Sequence, residues 1–272
     1  MKILFVGDIM GKPGRKIVRN LLPEINKDFG PFDFKIANAE NAAGGFGLTE
    51  KVMYELFGMG FDCLTSGNHI WDKKEFLPVL DGEKRVLRPA NYPPGCQGIG
   101  QAVFPAGGAK IAVLNLQGRV FMTPIDCPFR KADEILEKLD KPVVIVDFHA
   151  EATSEKKALG LYLDGRVSCV IGTHTHVQTA DEQILPKGTA FITDVGMTGG
   201  QAGVIGMDKE SVFHRFLTGT PAKFDVSRDD VSVKGLVVEI DEASGRALEV
   251  KRISMEEEPA REQGGTENGT MK

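Results

Sequence analysis

Ile3-Leu4-Phe5-Val6-Gly7-Asp8 opens the chain with four consecutive apolar residues, a glycine and a carboxylate. A continuous apolar run, rather than an alternating one, reads as a strand buried on both faces. The construction recurs along the sequence. Residues 34–37 lead into Asn38-Ala39-Glu40-Asn41, and Cys63-Leu64-Thr65 into Ser66-Gly67-Asn68-His69. Residues 143–146 lead into Asp147-Phe148-His149, and residues 168–171 into Gly172-Thr173-His174-Thr175-His176. Each polar cluster follows a strand, as do four of the five histidines.

The segments between these strands carry helical spacing. Ile17, Val18, Leu21, Leu22 and Ile25 share one face of a helix expected from about residue 13, with Pro23 as a point of bending or division. Thr49 reads as an N-cap before Val52, Met53, Leu56 and Phe57. Ala132, Ile135, Leu136 and Leu139 define another helix, and residues 151–161 a further one. Residues 110–116 and 191–193 read as strands, and residues 235–240 and 247–253 as an antiparallel hairpin.

Strands alternate with helices early and crowd together late, which implies a mixed α/β fold with two packed sheets. One domain over residues 1–254 is expected, followed by a charged, Gly-rich tail at 255–272 read as disordered. Residues 199–206 hold four glycines and read as a mobile loop.

The 272-residue chain is long enough for a core that needs no disulfides. Cys63, Cys96, Cys127 and Cys169 form no CxxC pair and read as reduced core thiols of a cytoplasmic protein. No apolar stretch approaches 18 residues, so neither a membrane span nor a signal peptide is expected. The net charge of −5 argues against long nucleic acid as a partner, which needs a basic face. A small phosphate ester remains compatible, because bound metals reverse the local field.

Taken singly, each polar cluster has an ordinary explanation. Asp8 after a strand is commonly a turn residue, Gly67-Asn68-His69 a tight turn, and His149 a hydrogen-bonded structural histidine. His174-Thr175-His176 is stronger, since residues two apart on an extended segment face the same way. The combination is stronger still: ligands in open α/β sheets bind beyond the carboxyl ends of the strands, where these clusters would pool. Carboxylate, amide and imidazole donors suit Fe, Mn, Zn or Mg. Asp8 and Glu40 supply two negative charges, so two divalent cations would leave a local positive excess suited to a hydroxide and an incoming phosphate. His214 has no comparable context and is assigned to a helix surface or packing role.

The ordered set resembles the calcineurin-like metallophosphoesterase superfamily, with three departures. Met10 stands where that pattern has its first histidine, Ala39-Glu40 replaces Gly-Asp, and Thr173 replaces a glycine. These departures, with Gly7-Asp8-Ile9-Met10-Gly11, Asn38-Ala39-Glu40-Asn41-Ala42, Ser66-Gly67-Asn68-His69-Ile70-Trp71-Asp72, the run from Asp147 through Lys156 and Thr193-Asp194-Val195-Gly196-Met197-Thr198-Gly199, are similar to the YmdB-like bacterial phosphodiesterases. The resemblance covers about residues 1–253.

It implies a four-layer α-β-β-α sandwich, with two mixed sheets flanked by helices. It implies one metal on Asp8, Glu40, Asn41 and His176, the other on Glu40, Asn68, His149 and His174, and His69 as proton donor. Glu40 would bridge, and Asn41 would cover the position left by Met10. Iron or manganese is favoured, with magnesium or zinc as alternatives. The implied activity is hydrolysis of small cyclic nucleotides, 2′,3′-cyclic before 3′,5′-cyclic, by an oligomer-forming cytosolic enzyme. A phosphomonoesterase with the same site, a capsule-synthesis-type protein and a regulatory RNA-associated protein with structural metals are the alternatives.

Overall fold

The computed structural model describes residues 1–140 and 143–257. In chain order the first half holds β1 (Lys2–Val6), β2 (Asp8–Ile9), α1 (Gly11–Phe29), β3 (Phe34–Asn38), α2 (Glu50–Gly58), β4 (Cys63–Thr65) and α3 (Leu77–Gly82). Then come β5 (Gln101–Ala106), β6 (Ala109–Gln117), α4 (Pro128–Leu136), β7 (Val143–His149), α5 (Thr153–Leu163) and β8 (Cys169–Thr173). The chain continues through β9 (Gln183–Ile184), β10 (Ala190–Ile192), β11 (Met197–Gly200), α6 (Lys209–Thr218), β12 (Val231–Ile240) and β13 (Ala247–Glu256).

A seven-stranded sheet runs β2-β11-β12-β1-β3-β4, with β13 paired to β12. A six-stranded sheet runs β5-β6-β7-β8-β10-β9. Both are mixed. β1 lies parallel to β3 but antiparallel to β12, and β6 lies parallel to β7 but antiparallel to β5.

Side-chain alternation divides each central strand between two apolar layers. In β1, Leu4 and Val6 pack with Ile17, Val18 and Leu21 of α1 and Val52, Met53 and Leu56 of α2. Ile3 and Phe5 turn the other way, toward Val143 and Ile145 of β7 and Cys169 and Ile171 of β8. The remaining face of β7, Val144, Val146 and Phe148, packs with Ala132 of α4 and Leu159 and Leu163 of α5. Two sheets back to back, each with helices outside, make the four-layer α-β-β-α sandwich. Burial on both faces is the reason the central strands read as unbroken apolar runs.

Several boundaries differ from the sequence reading. α1 begins at Gly11 and continues through Pro23 to Phe29. The proline lacks an N–H, so it drops one ladder bond without ending a helix whose apolar face is fully packed. β13 extends through Met255 and Glu256, which pair with Val233 and Ser232, so the expected tail starts inside a strand. Residues 258–272 lie outside the described residues. The glycine-rich stretch at 199–206 is close-packed backbone rather than open loop: Gly199 and Gly200 pair with Ser232 and Val231. A Cβ at Gly203 would fall 2.1 Å from the Met207 carbonyl oxygen, so the glycines there serve close approach. All four cysteines are unpaired; Cys63 and Cys169 are buried, whereas Cys96 and Cys127 are half-buried rather than core residues. No helix among the described residues is long and apolar enough to cross a membrane.

Candidate active site

Strand register brings the polar clusters to one rim. β1 and β3 end together at Val6 and Ala37, β3 and β4 at Asn38 and Thr65, and β7 and β8 at His149 and Thr173. The residues that follow these parallel ends therefore meet at a shared edge. Alternation then selects the face. Val143 and Ile145 enter the core between the sheets, so Asp147 and His149 continue on that side, and Asn38 follows Ile36. Asn38 Nδ2 donates across the gap to Asp147 Oδ2 at 3.0 Å.

His149 is the centre of the cluster. Its Nε2 lies 2.8 Å from Glu40 Oε1 and 3.0 Å from His174 Nδ1. Its Nδ1 lies 2.9 Å from Thr173 Oγ1 and 4.0 Å from Asp8 Oδ1. Thr173 has one hydroxyl proton and donates it to Asp147 Oδ1 at 2.7 Å. It therefore accepts the His149 Nδ1–H, which turns the other ring nitrogen toward Glu40. His176 is set the same way: its Nδ1–H donates to the Ile205 carbonyl at 2.8 Å, and its Nε2 lies 3.2 Å from Asn41 Nδ2. His174 Nε2 is 3.1 Å from Glu151 Oε2, which leaves its Nδ1 lone pair aimed at His149.

A carboxylate oxygen and two imidazole nitrogens thus converge, with the ligand atoms of Glu40, His149 and His174 all within 4.8 Å of one another. Such lone pairs repel unless a proton or a cation lies among them. Two further oxygens, Asp8 Oδ1 and Asn68 Oδ1, are buried without a hydrogen-bond partner, which is costly unless something else satisfies them. Gly67 makes the approach sterically feasible: a Cβ there would sit 2.1 Å from His149 Cδ2 and 2.4 Å from Glu40 Oε2. The donor set fits hard or borderline divalent metals.

In the metal-free chain a proton takes the cation's place. Burial lowers the affinity of His149 for a proton, but the charge and hydrogen bond of Glu40 outweigh it and hold the imidazole up to about 9. Burial likewise raises Glu40, yet His149 foremost, with His69 and His174, brings the carboxyl down to about 2. Burial, followed by the positive His149, depresses His174 to about 3. Burial lifts Asp8, and lifts Asp147 to about 6.

His69 stands at the side of this cluster. Its backbone N–H donates to Glu40 Oε2 at 3.1 Å, and its ring Nδ1 lies 2.8 Å from Asp72 Oδ2. Asn68–Trp71 form a 3₁₀ turn with Asp72 as its C-cap, and side chains three apart eclipse in that geometry. Phe46 meets the His69 ring edge-on, with centroids 5.0 Å apart.

The structure brings all eight expected residues to this rim, with Met10 turned away into an apolar cluster with Met197, Met207 and Val212. The residues that orient them fall within the quoted motifs but were given no role there: Thr173 and Asp147 behind His149, Glu151 behind His174, Asp72 beside His69, and the Lys156–Asp194 pair behind the His174–His176 segment. A signal was present for Asp147, which sits two residues before His149 on a strand and so shares its face.

Residues 4–253 match the family described as YmdB-like protein. The chain is 51% identical over 255 residues to the 2′,3′-cyclic-nucleotide 2′-phosphodiesterase of Bacillus subtilis (strain 168), covering 93% of this chain and 96% of that one. A hypothetical protein from Thermus thermophilus has a crystal structure that superposes with a TM-score of 0.90 at 43% identity, covering 95% of this chain and 100% of the other. A novel phosphatase from Mycoplasma pneumoniae superposes with a TM-score of 0.89 at 38% identity, covering 94% and 93%. The chain belongs to the YmdB-like family.

Proposed function

We propose that the protein is a metal-dependent phosphodiesterase that opens 2′,3′-cyclic nucleotides, as the Bacillus subtilis relative's name states for that enzyme. The observation that carries the reading is the convergence of Glu40, His149 and His174 beside the unpartnered Asp8 and Asn68 oxygens, with His69 at the edge. Asp8, Glu40, Asn41, Asn68, His149, His174 and His176 are the residues that would hold two divalent cations, iron or manganese in first place, with Glu40 shared. Such a pair lowers the pKa of water and neutralises phosphoryl oxygens.

The chain's own groups do the rest. Thr173, Glu151 and the Ile205 carbonyl fix the ring orientations of His149, His174 and His176, so little reorganisation accompanies substrate binding. A water oxygen attacks phosphorus and gives up a proton to solvent, the P–O2′ bond breaks, His69 gives its proton to the departing ribose oxygen, and solvent reprotonates His69 to close the cycle. Asp72 holds His69 Nδ1–H, which leaves Nε2 to deliver that proton. An alkoxide is a poor leaving group, so a positioned acid assists its departure. We place this activity in the cytoplasm, and the enzyme as an oligomer, in keeping with the unpaired cysteines and the family resemblance.

The test is a steady-state comparison of 2′,3′-cyclic nucleotides, 3′,5′-cyclic nucleotides, linear diesters and monophosphates at matched manganese and pH. The 2′,3′-cyclic esters are expected to have the highest kcat/KM. A higher value for monophosphates than for every diester overturns the reading in favour of a monoesterase.

A further inference from the structure

Beside the ligand cluster lies an apolar cavity of about 550 Å³, within the size range of small-molecule sites. Its wall includes Phe46, Ile205, Met207, Arg215, Phe216 and Phe224. Two of these residues also touch the site. Phe46 packs against the His69 ring, and the Ile205 carbonyl accepts from His176 Nδ1. A phosphate bound at the cluster would therefore have this cavity as its neighbour.

The wall has features that internal packing does not explain. Phe216 is 82% exposed and Ile205 54% exposed, while Met207 and Val212 beneath them are buried. Large apolar side chains left open beside a polar site mark a place where a ligand packs. Arg215 lies over the Phe224 ring at 5.3 Å, and no carboxylate pairs with it among the described residues. The cavity lining contains no acidic residue. Three phenylalanines and one guanidinium offer a flat aromatic group two kinds of contact: ring faces, and hydrogen-bond donors at its edge.

We propose that this cavity receives the nucleobase of the substrate. Phe46, Phe216 and Phe224 supply the aromatic contact, and Arg215 selects for a base edge made of acceptors. Guanine presents O6 and N7 together, whereas adenine presents a donor beside N7, so guanine is preferred. The proposal rests on the phosphodiesterase reading of the neighbouring site and adds its base specificity.

The experiment compares wild type, Phe216→Ala and Arg215→Met on guanosine 2′,3′-cyclic phosphate, adenosine 2′,3′-cyclic phosphate and the base-free glycerol 1,2-cyclic phosphate, at one metal concentration. Phe216→Ala is expected to raise KM for both nucleotides on the order of tenfold more than for the glycerol ester, the scale of one lost base–aromatic contact. Arg215→Met is expected to lower the guanosine-to-adenosine ratio of kcat/KM. Equal changes on all three substrates, or none, overturn the proposal. An altered oligomeric state of Phe216→Ala in sedimentation, with KM unchanged, would assign the face to contacts between copies and also overturn it. A wild type that cleaves none of the three fails the phosphodiesterase reading instead. Calorimetry with guanosine then decides the cavity alone: binding weakened by Phe216→Ala supports it, and no binding by wild type overturns it.

Discussion

Lys156 Nζ lies 2.6 Å from Asp194 Oδ2, and both side chains are buried. The same carboxylate oxygen accepts from Thr175 N and Thr175 Oγ1, while Oδ1 accepts from Gly196 N. Thr175 separates His174 and His176, whose φ angles of 96° and 67° lie in the left-handed region. Such a conformation costs about 1–3 kcal/mol per non-glycine residue and persists only when its surroundings fix it. Asp194, neutralised by Lys156, is what fixes it here.

Removing one partner of this pair leaves a charge buried alone. Asp194→Asn and Lys156→Met are each expected to destabilise the chain by about 3–5 kcal/mol, and to weaken manganese binding by freeing His174 and His176. Urea melts and metal titration check both. Unchanged manganese affinity in a variant that still folds would show that the clamp stabilises the fold without shaping the site.

Thr173 offers a finer perturbation, because its hydroxyl links His149 Nδ1 to Asp147 Oδ1. Thr173→Val keeps the shape and loses both hydrogen bonds. Metal affinity or turnover is expected to fall about 10–100-fold, and Thr173→Ser to recover most of it. A valine variant with wild-type affinity would mean that packing alone orients His149.

The legible part of the site follows from one rule: in parallel strands, polar residues just beyond the carboxyl ends meet. Asp8, Glu40, Asn68, His149 and His174 were readable on that basis, because a short, mostly apolar strand precedes each of them, interrupted by Lys35 in β3. The supporting residues were harder. Asp194 and Lys156 are 38 positions apart and become partners only when α5 packs over β8 and the turn after β10. Glycines mislead for a related reason. Composition marks residues 199–206 as mobile, yet Gly203 is small because the Met207 backbone needs the space. The short elements β2, β9 and β11 have two to four residues each, too few to show periodicity. Met10 was visible as a departure, but its destination, the cluster with Met197, Met207 and Val212, depends on α6 docking nearby.

The proton shared by Glu40 and His149 makes a prediction about pH. In the metal-free chain His149 is raised from 6.5 to about 9, so its contribution is fully present below pH 6.5 and is lost as pH rises through about 9. Glu40 is lowered from 4.5 to about 2, so its contribution is present above pH 4.5 and is lost as pH falls through about 2. Asp147, raised from 3.8 to about 6, has already lost its share by pH 6.5, and His174, lowered from 6.5 to about 3, costs stability below pH 6.5 and offsets the His149 loss until that cost is relieved. Chelator-treated protein is therefore expected to lose stability steadily from about one unit above pH 6.5 to about pH 9.5 in urea titrations. Saturating manganese should blunt that slope, since a ligating imidazole must be neutral. A flat or rising profile in the metal-free protein would refute the shared proton.

His69 is the residue whose role can be separated most cleanly from metal binding. Its ring contacts Asp72 and Phe46, and only its backbone N–H touches Glu40. His69→Ala is therefore expected to keep metal content near wild type while slowing hydrolysis of 2′,3′-cyclic nucleotides on the order of 10²–10⁴-fold. The defect should shrink with nitrophenyl esters, whose leaving group needs no proton. Asp72→Asn should show the same selectivity with a smaller loss, since the imidazole remains but is less firmly held. Elemental analysis and kinetics on both ester types make the check. A loss of equal size on alkyl and nitrophenyl esters would reassign His69 from proton transfer to phosphate binding.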